Sequence, residues 1–165
     1  EAALAGHLVL SSLHTNDSIQ AITRLLELGV AAHTVAPTVI GILSKRLVRR
    51  ICSACKETYS PPRADLEPYF KDPDPTDVLL YRGKGCPRYF GSGFVGRCGF
   101  HEYLEVSEEM RDLIITRALP AKLVQEAQRS GYRPMRYDAL KNALAGWTTL
   151  EKVEKSTLPE MAYRH

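Results

Sequence analysis

The apolar positions near the N-terminus fall into two patterns. The run Gly6-His7-Leu8-Val9-Leu10-Ser11-Ser12-Leu13-His14 is short, dense in apolar side chains and closed by Thr15-Asn16-Asp17. That is how a buried strand running into a helix cap looks. Ile19, Ile22, Leu25, Leu26 and Leu28 then recur at helical spacing, with Gly29 where a C-terminal cap belongs, which predicts a helix between the two signals. A second helix is predicted from about Ala31 to Arg50, with Pro37 in its first turns or kinking it.

From Cys52 the pattern dissolves. Pro61, Pro62, Pro68, Pro73 and Pro75 accumulate, and Gly83, Gly85, Gly91, Gly93, Gly96 and Gly99 follow, so this stretch reads as loops with short strands. A segment with so little regular apolar pattern needs a clamp, and cysteines are the candidates. Helical spacing returns after Ser107: Met110, Leu113 and Ile114; Leu123, Val124 and Ala127; Leu140, Ala143 and Leu144; then Leu150 and Val153, with Gly131 and Gly146 as punctuation. The predicted order is a strand with helices, a cysteine-bearing insertion and a closing set of helices, which is an α/β composite.

Composition narrows the class. A chain of 165 residues, 44% hydrophobic and 25% charged, can hold one ordinary core or two small ones and is neither fibrous nor globally disordered. The longest mostly apolar stretch, Val35 to Leu43, is interrupted by Pro37 and Thr38 and followed by Lys45 and Arg46, far short of the roughly 20 residues that span a bilayer. No signal peptide is recognisable, and a cytoplasmic protein is expected. The first residue is Glu1, and the next ones already read as the middle of a folded element, so an excised piece of a longer chain is expected. The net charge of +3 is mild and is densest at Lys45-Arg46-Leu47-Val48-Arg49-Arg50, which reads either as a phosphate- or acid-binding cluster or as cations at a helix C-terminus.

Cys52-Ser53-Ala54-Cys55 can place two thiolates on one tetrahedral metal, because a two-residue gap lets the chain turn back with its amides toward the sulfurs. Cys86-Pro87-Arg88-Tyr89 has the shape of a second such knuckle with Tyr in the last position, and Cys98 is the remaining thiol. Three readings stay open: zinc on Cys52, Cys55 and Cys86 with Cys98, His101 or water as the fourth ligand; a degenerate, metal-free knuckle; or thiols acting as small hydrophobes in a packed hairpin. Cysteines of this spacing fit metal binding in a reducing compartment better than a secreted disulfide framework.

The run from Ala3 to Asn16 resembles the histidine box of the type II secretion and type IV pilus-assembly ATPases. It is joined, in that family's order, by Ala21-Ile22-Thr23-Arg24-Leu25, by Lys45 through Cys52, by Gly93-Phe94-Val95-Gly96-Arg97 with Gly99 and Glu102, and by Met135-Arg136 through Gly146-Trp147-Thr148-Thr149-Leu150. The resemblance implies residues 1–51 as the C-terminal part of a RecA-like motor core, 52–106 as a cysteine-containing hairpin subdomain and 107–165 as a C-terminal helical subdomain. It implies a hexameric cytoplasmic motor that uses ATP and Mg, is peripheral to the membrane and docks on inner-membrane platform proteins.

His7 and His14 would lie near the nucleotide by the same resemblance, as the catalytic candidates. The family's tetracysteine zinc site would map onto Cys52, Cys55, Cys86 and position 89, which is Tyr89 here. No G-x-x-x-x-G-K-[ST] occurs in the chain, so the chain alone is expected neither to bind nor to hydrolyse ATP in the usual way. Two other functions compete: a metal-ribbon module using Lys45–Arg50 on nucleic acid, and a non-catalytic adaptor. A pI near 8.7 and a basic run without interleaved aromatics argue against nucleic acid as partner.

Overall fold

The computed structural model describes residues 2–70 and 73–158. The elements run α1 (Ser18–Glu27), α2 (Ala32–Thr38), β1 (Gly41–Ile51), β2 (Lys56–Tyr59), α3 (Arg63–Leu66), β3 (Leu80–Gly83), a 3-10 turn (Pro87–Tyr89), β4 (Phe94–Glu105), α4 (Glu108–Ile115), α5 (Pro120–Arg129), α6 (Met135–Leu144) and α7 (Leu150–Ser156). The fold is mixed α/β with two small two-stranded sheets, β1 with β4 and β2 with β3. The chain divides into two compact units: one from the residues up to Lys45 with His101–Met135, the other from Arg46–Phe100 and the segment that begins at Arg136.

In the first unit, local chemistry sets the ends of α1. Asp17 is extended and accepts a 2.7 Å hydrogen bond from the Gln20 amide and one of 2.9 Å from the Gln20 side chain, which satisfies a helix-start donor. At the other end Gly29, at φ 87°, lets its own amide reach the Leu26 carbonyl while the Val30 amide reaches that of Leu25, a Schellman ending that needs the left-handed backbone.

The second helix stops far earlier than its pattern predicts. Pro37 supplies no amide for the His33 carbonyl and crowds the preceding turn. The Val39 amide caps Val35, and from Gly41 the chain is a strand. The cause is tertiary, since the Ile40 carbonyl takes the Val106 amide and β1 pairs with β4. Pairing of this kind overrides helical spacing. The expected N-terminal strand is also absent: among the described residues 7–16 no strand forms, and Leu8, Val9 and Leu10 are exposed.

The helices predicted after Ser107 are all present. Ile19, Ile22, Val35, Leu104, Met110, Ile114, Leu123 and Ala127 form the first unit's core, each large member contributing about 1.5–3 kcal/mol over an exposed position. In the second unit Leu66, Leu80 and Leu150 pack with Tyr59, Tyr69, Phe70, Val78 and Leu140. There β2 and β3 are antiparallel, with Glu57 opposite Arg82. Hydrogen bonds from Lys84 and then Arg82 hold the Glu57 carboxyl below its ordinary range.

Along β4 the side chains of Cys98, Phe100, Glu102 and Leu104 alternate inward and are buried. Glu102 is a carboxylate in this row, only 5% exposed. One of its oxygens accepts the Ser18 amide at 2.6 Å and the other the Met135 amide at 2.8 Å. Both donors belong to the first residue of a helix, where amides have no intrahelical partner. Beside it, burial raises the Asp17 carboxyl above its ordinary pKa, and the Glu102 charge adds to the rise.

Glu102→Ala strands two buried amides and should cost about 2–4 kcal/mol in urea unfolding; a loss within experimental error would mean that water replaces the carboxylate. Because the folded pKa of Asp17 is raised, its stabilising contribution is present below the ordinary aspartate range and lost as pH rises through the folded value. Asp17→Asn keeps the cap without the charge. Its stability relative to the parent should therefore improve as pH rises above 3.8, the ordinary value, and a pH-independent difference would refute that account.

Candidate metal centre and the histidine segment

Cys52 follows the last residue of β1, and its amide donates to the Gly93 carbonyl at 2.9 Å. The chain then turns, with the Cys55 amide reaching the Cys52 carbonyl at 3.3 Å, and enters β2. Across from it, the Lys84 amide donates to the Cys55 carbonyl at 3.0 Å, which draws the start of the Cys86 loop onto the first knuckle. The Gly91 amide closes that loop on the Cys86 carbonyl at 3.0 Å.

Glycines make this closure possible. A Cβ on Gly93 would stand 2.6 Å from the Gly83 carbonyl oxygen, and one on Gly83 would collide with the Gly93 backbone in turn. The two backbones approach as only glycine permits, and Gly93 is also left-handed at φ 72°. The proline–glycine run that looked merely loop-rich in sequence is a close-packed hairpin.

The result brings the sulfurs of Cys52, Cys55 and Cys86 within 4.8 Å of one another, with Cys52 and Cys86 at 4.0 Å. Two thiolates on a tetrahedral zinc lie roughly 3.8 Å apart, from zinc–sulfur bonds of about 2.3 Å, so the spacing fits a shared metal. The Ala54 amide hydrogen-bonds the Cys52 sulfur and, with help from Cys86 and Cys55, holds its pKa below the usual thiol value despite burial. At Cys55 burial dominates and raises the pKa, although the Gly85 amide pulls the other way. The donor set is three soft thiols with amides aimed at two of them, which fits a borderline-soft dication such as zinc.

Cys98 is not part of this group. It is buried on the inward row of β4, where burial raises its pKa. His101 is exposed on the opposite row of the same strand. Tyr89 ends the 3-10 turn after Cys86 and is 40% exposed.

His7 and His14 lie on the exposed N-terminal segment. The His7 ring reaches only the Ala2 carbonyl, at 3.3 Å, and the His14 ring is open to solvent. Neither belongs to a group of three or more His, Cys, Asp or Glu side chains placed to hold a metal among the described residues. Glu102 is a further positioning residue, and its signal in the sequence is a carboxylate alternating in step with the apolar Phe100 and Leu104.

This mixed α/β fold, with a cysteine knuckle between its strands, belongs to a known family. Residues 1–155 match the family described as type II/IV secretion system protein, and the chain is a member of it. It is 43% identical over 159 residues to the type IV pilus assembly ATPase PilB of Thermus thermophilus, covering 96% of this chain and 18% of that protein. Over 160 residues it is 38% identical to type II secretion system protein E of Pseudomonas aeruginosa, covering 97% and 32%. Against type II secretion system ATPase E of Vibrio cholerae the identity is 35% over 157 residues, covering 95% and 31%. The chain thus spans less than a third of the length of these relatives.

The thiol geometry predicts that chain purified without chelator carries zinc, that Cys86→Ser removes it and that Cys98→Ser leaves it. Metal ligation needs thiolates, so zinc should be released as pH falls. Elemental analysis and a chromogenic chelator read both. A metal-free starting protein would reduce the three thiols to packing.

Proposed function

We propose that this chain is the C-terminal portion of a hexameric cytoplasmic ATPase that powers type II protein secretion or type IV pilus assembly. The observation that carries the reading is the agreement with this family over residues 1–155. The bare apolar run supports it: Leu8 is 77% and Leu10 88% exposed, in a stretch patterned for a sheet interior. A RecA-like sheet in the parent gives these side chains somewhere to go.

In this reading residues 1–51 complete the motor core, 52–106 form the cysteine hairpin and 107–165 a helical subdomain. The parent binds ATP with Mg, and His7 and His14 approach the nucleotide from the edge of the core, where an imidazole can donate to phosphate. Cys52, Cys55 and Cys86 hold a structural zinc, which would add a clamp to a hairpin already closed by glycine backbone contacts. The ring works on the cytoplasmic face of the inner membrane against platform proteins. No helix among the described residues is long and apolar enough to cross a membrane.

The test has two arms. The chain alone should release no phosphate from ATP above background, and steady turnover would contradict the proposal. In the intact parent, His14→Ala should lower kcat roughly 10²-fold or more, the usual loss for one transition-state donor. An unchanged kcat would return His14 to a surface role.

A further inference from the structure

A cleft of about 330 Å³ opens in the second unit, lined in part by Arg49, Tyr89, Phe90, Ser92, Phe94 and Arg97. Its volume lies within the range of ordinary ligand pockets. The lining holds two guanidinium groups and no carboxylate. Arg49 lies over the Phe94 ring, 5.7 Å from its centroid, and Lys152 lies 5.6 Å from the same ring. This fixes Arg49 at the wall and adds a third cation nearby. Arg97 is exposed on β4 and makes no ion pair among the described residues.

The rim carries a second feature. Phe90 is 104% exposed and left-handed at φ 54°. A bulky side chain is rarely held in that backbone region, and glycine would adopt it without strain. Folding therefore works against both the conformation and the exposure of this ring. An exposed aromatic beside guanidiniums with no carboxylate in the same lining is the composition of a docking site rather than of a bare loop.

We infer that this cleft docks a partner protein through a short acidic segment, carboxylates facing Arg49 and Arg97 and an apolar side chain lying on Phe90. Charge complementarity points to carboxylates, because a guanidinium offers a planar fork that accepts them in two-point pairs. A bilayer presents a broad surface to many apolar and basic groups, whereas this lining holds two guanidiniums with two exposed rings, Tyr89 and Phe90. Of the three rings in the lining Phe94 already has cations over it, which leaves Tyr89 and Phe90, fewer stacking faces than a tracked single strand calls for.

The test is fluorescence anisotropy of the full chain with a fluorescein-labelled hexapeptide of glutamates around a central leucine, against its lysine counterpart. The acidic peptide should bind, the lysine peptide should not, and added salt should weaken the complex. Arg97→Glu should weaken binding about 10-fold or more, with Arg97→Lys falling between. Phe90→Gly should lower affinity while keeping or raising the melting temperature, which separates docking from folding. Equal binding of the two peptides, or Arg97→Glu binding like the parent, would overturn the inference. So would Arg97-dependent binding of phosphatidylglycerol vesicles or an oligothymidylate in the absence of peptide binding.

Discussion

The carboxylate of Glu102 is the constraint on which the first unit turns. A strand of alternating side chains would ordinarily place an apolar residue between Phe100 and Leu104, and the carboxylate in that position is tolerable only because two backbone amides meet it. Those amides open α1 and lie at the first residue of α6, so one side chain satisfies donors that neither helix could satisfy internally. The price is a register that cannot slip: moving β4 by one residue would turn Cys98, Phe100, Glu102 and Leu104 outward together. Asp17, capping α1 beside the same carboxylate, feels its charge as a raised pKa.

The second unit is governed by backbone proximity instead. Its knuckle forms because Gly83 and Gly93 touch main chain to main chain, and because carbonyls of Cys52, Cys55 and Cys86 each accept an amide from the turning chain. Little of this depends on apolar burial. The thiols therefore meet at near-ligand spacing before any metal is considered, and an ion arriving there would find sulfurs already gathered. The same hairpin displays Phe90 and Arg97 on its outer side, so the loop that gathers the thiols also sets the walls of the cleft.

What could be read from the sequence was what is decided locally. The Asp17 cap, the Gly29 ending and the apolar faces of α4, α5 and α7 depend on neighbours within a turn or two, and each is where its pattern put it. The C-x-x-C pair was legible from its two-residue gap and Cys86 from the knuckle shape of Cys86–Tyr89, and the three sulfurs lie within 4.8 Å of one another. The strand β1 was not: its pairing partner lies beyond the whole cysteine region, and the run from Ala31 carries helical spacing until Pro37 breaks it. Leu8, Val9 and Leu10 carry the pattern of a buried strand, yet they are exposed, since no strand among the described residues pairs with this run.

The basic run shows how much follows from that one misread element. On a helix, Lys45, Arg46, Arg49 and Arg50 would share a face at three- and four-residue spacing and present a single cationic patch. On a strand, neighbouring side chains point to opposite faces, and here Arg49 lies over Phe94 while Arg50 lies over Trp147, 4.9 Å from the ring centroid. The charge is divided between two aromatic anchors, each contact contributing about 0.5–1 kcal/mol at exposed sites. A divided run neutralises fewer successive phosphates than a continuous one, so the strand itself weakens the case for a nucleic-acid module. It also leaves Arg49 where, with Arg97, it can face a ligand of a different kind.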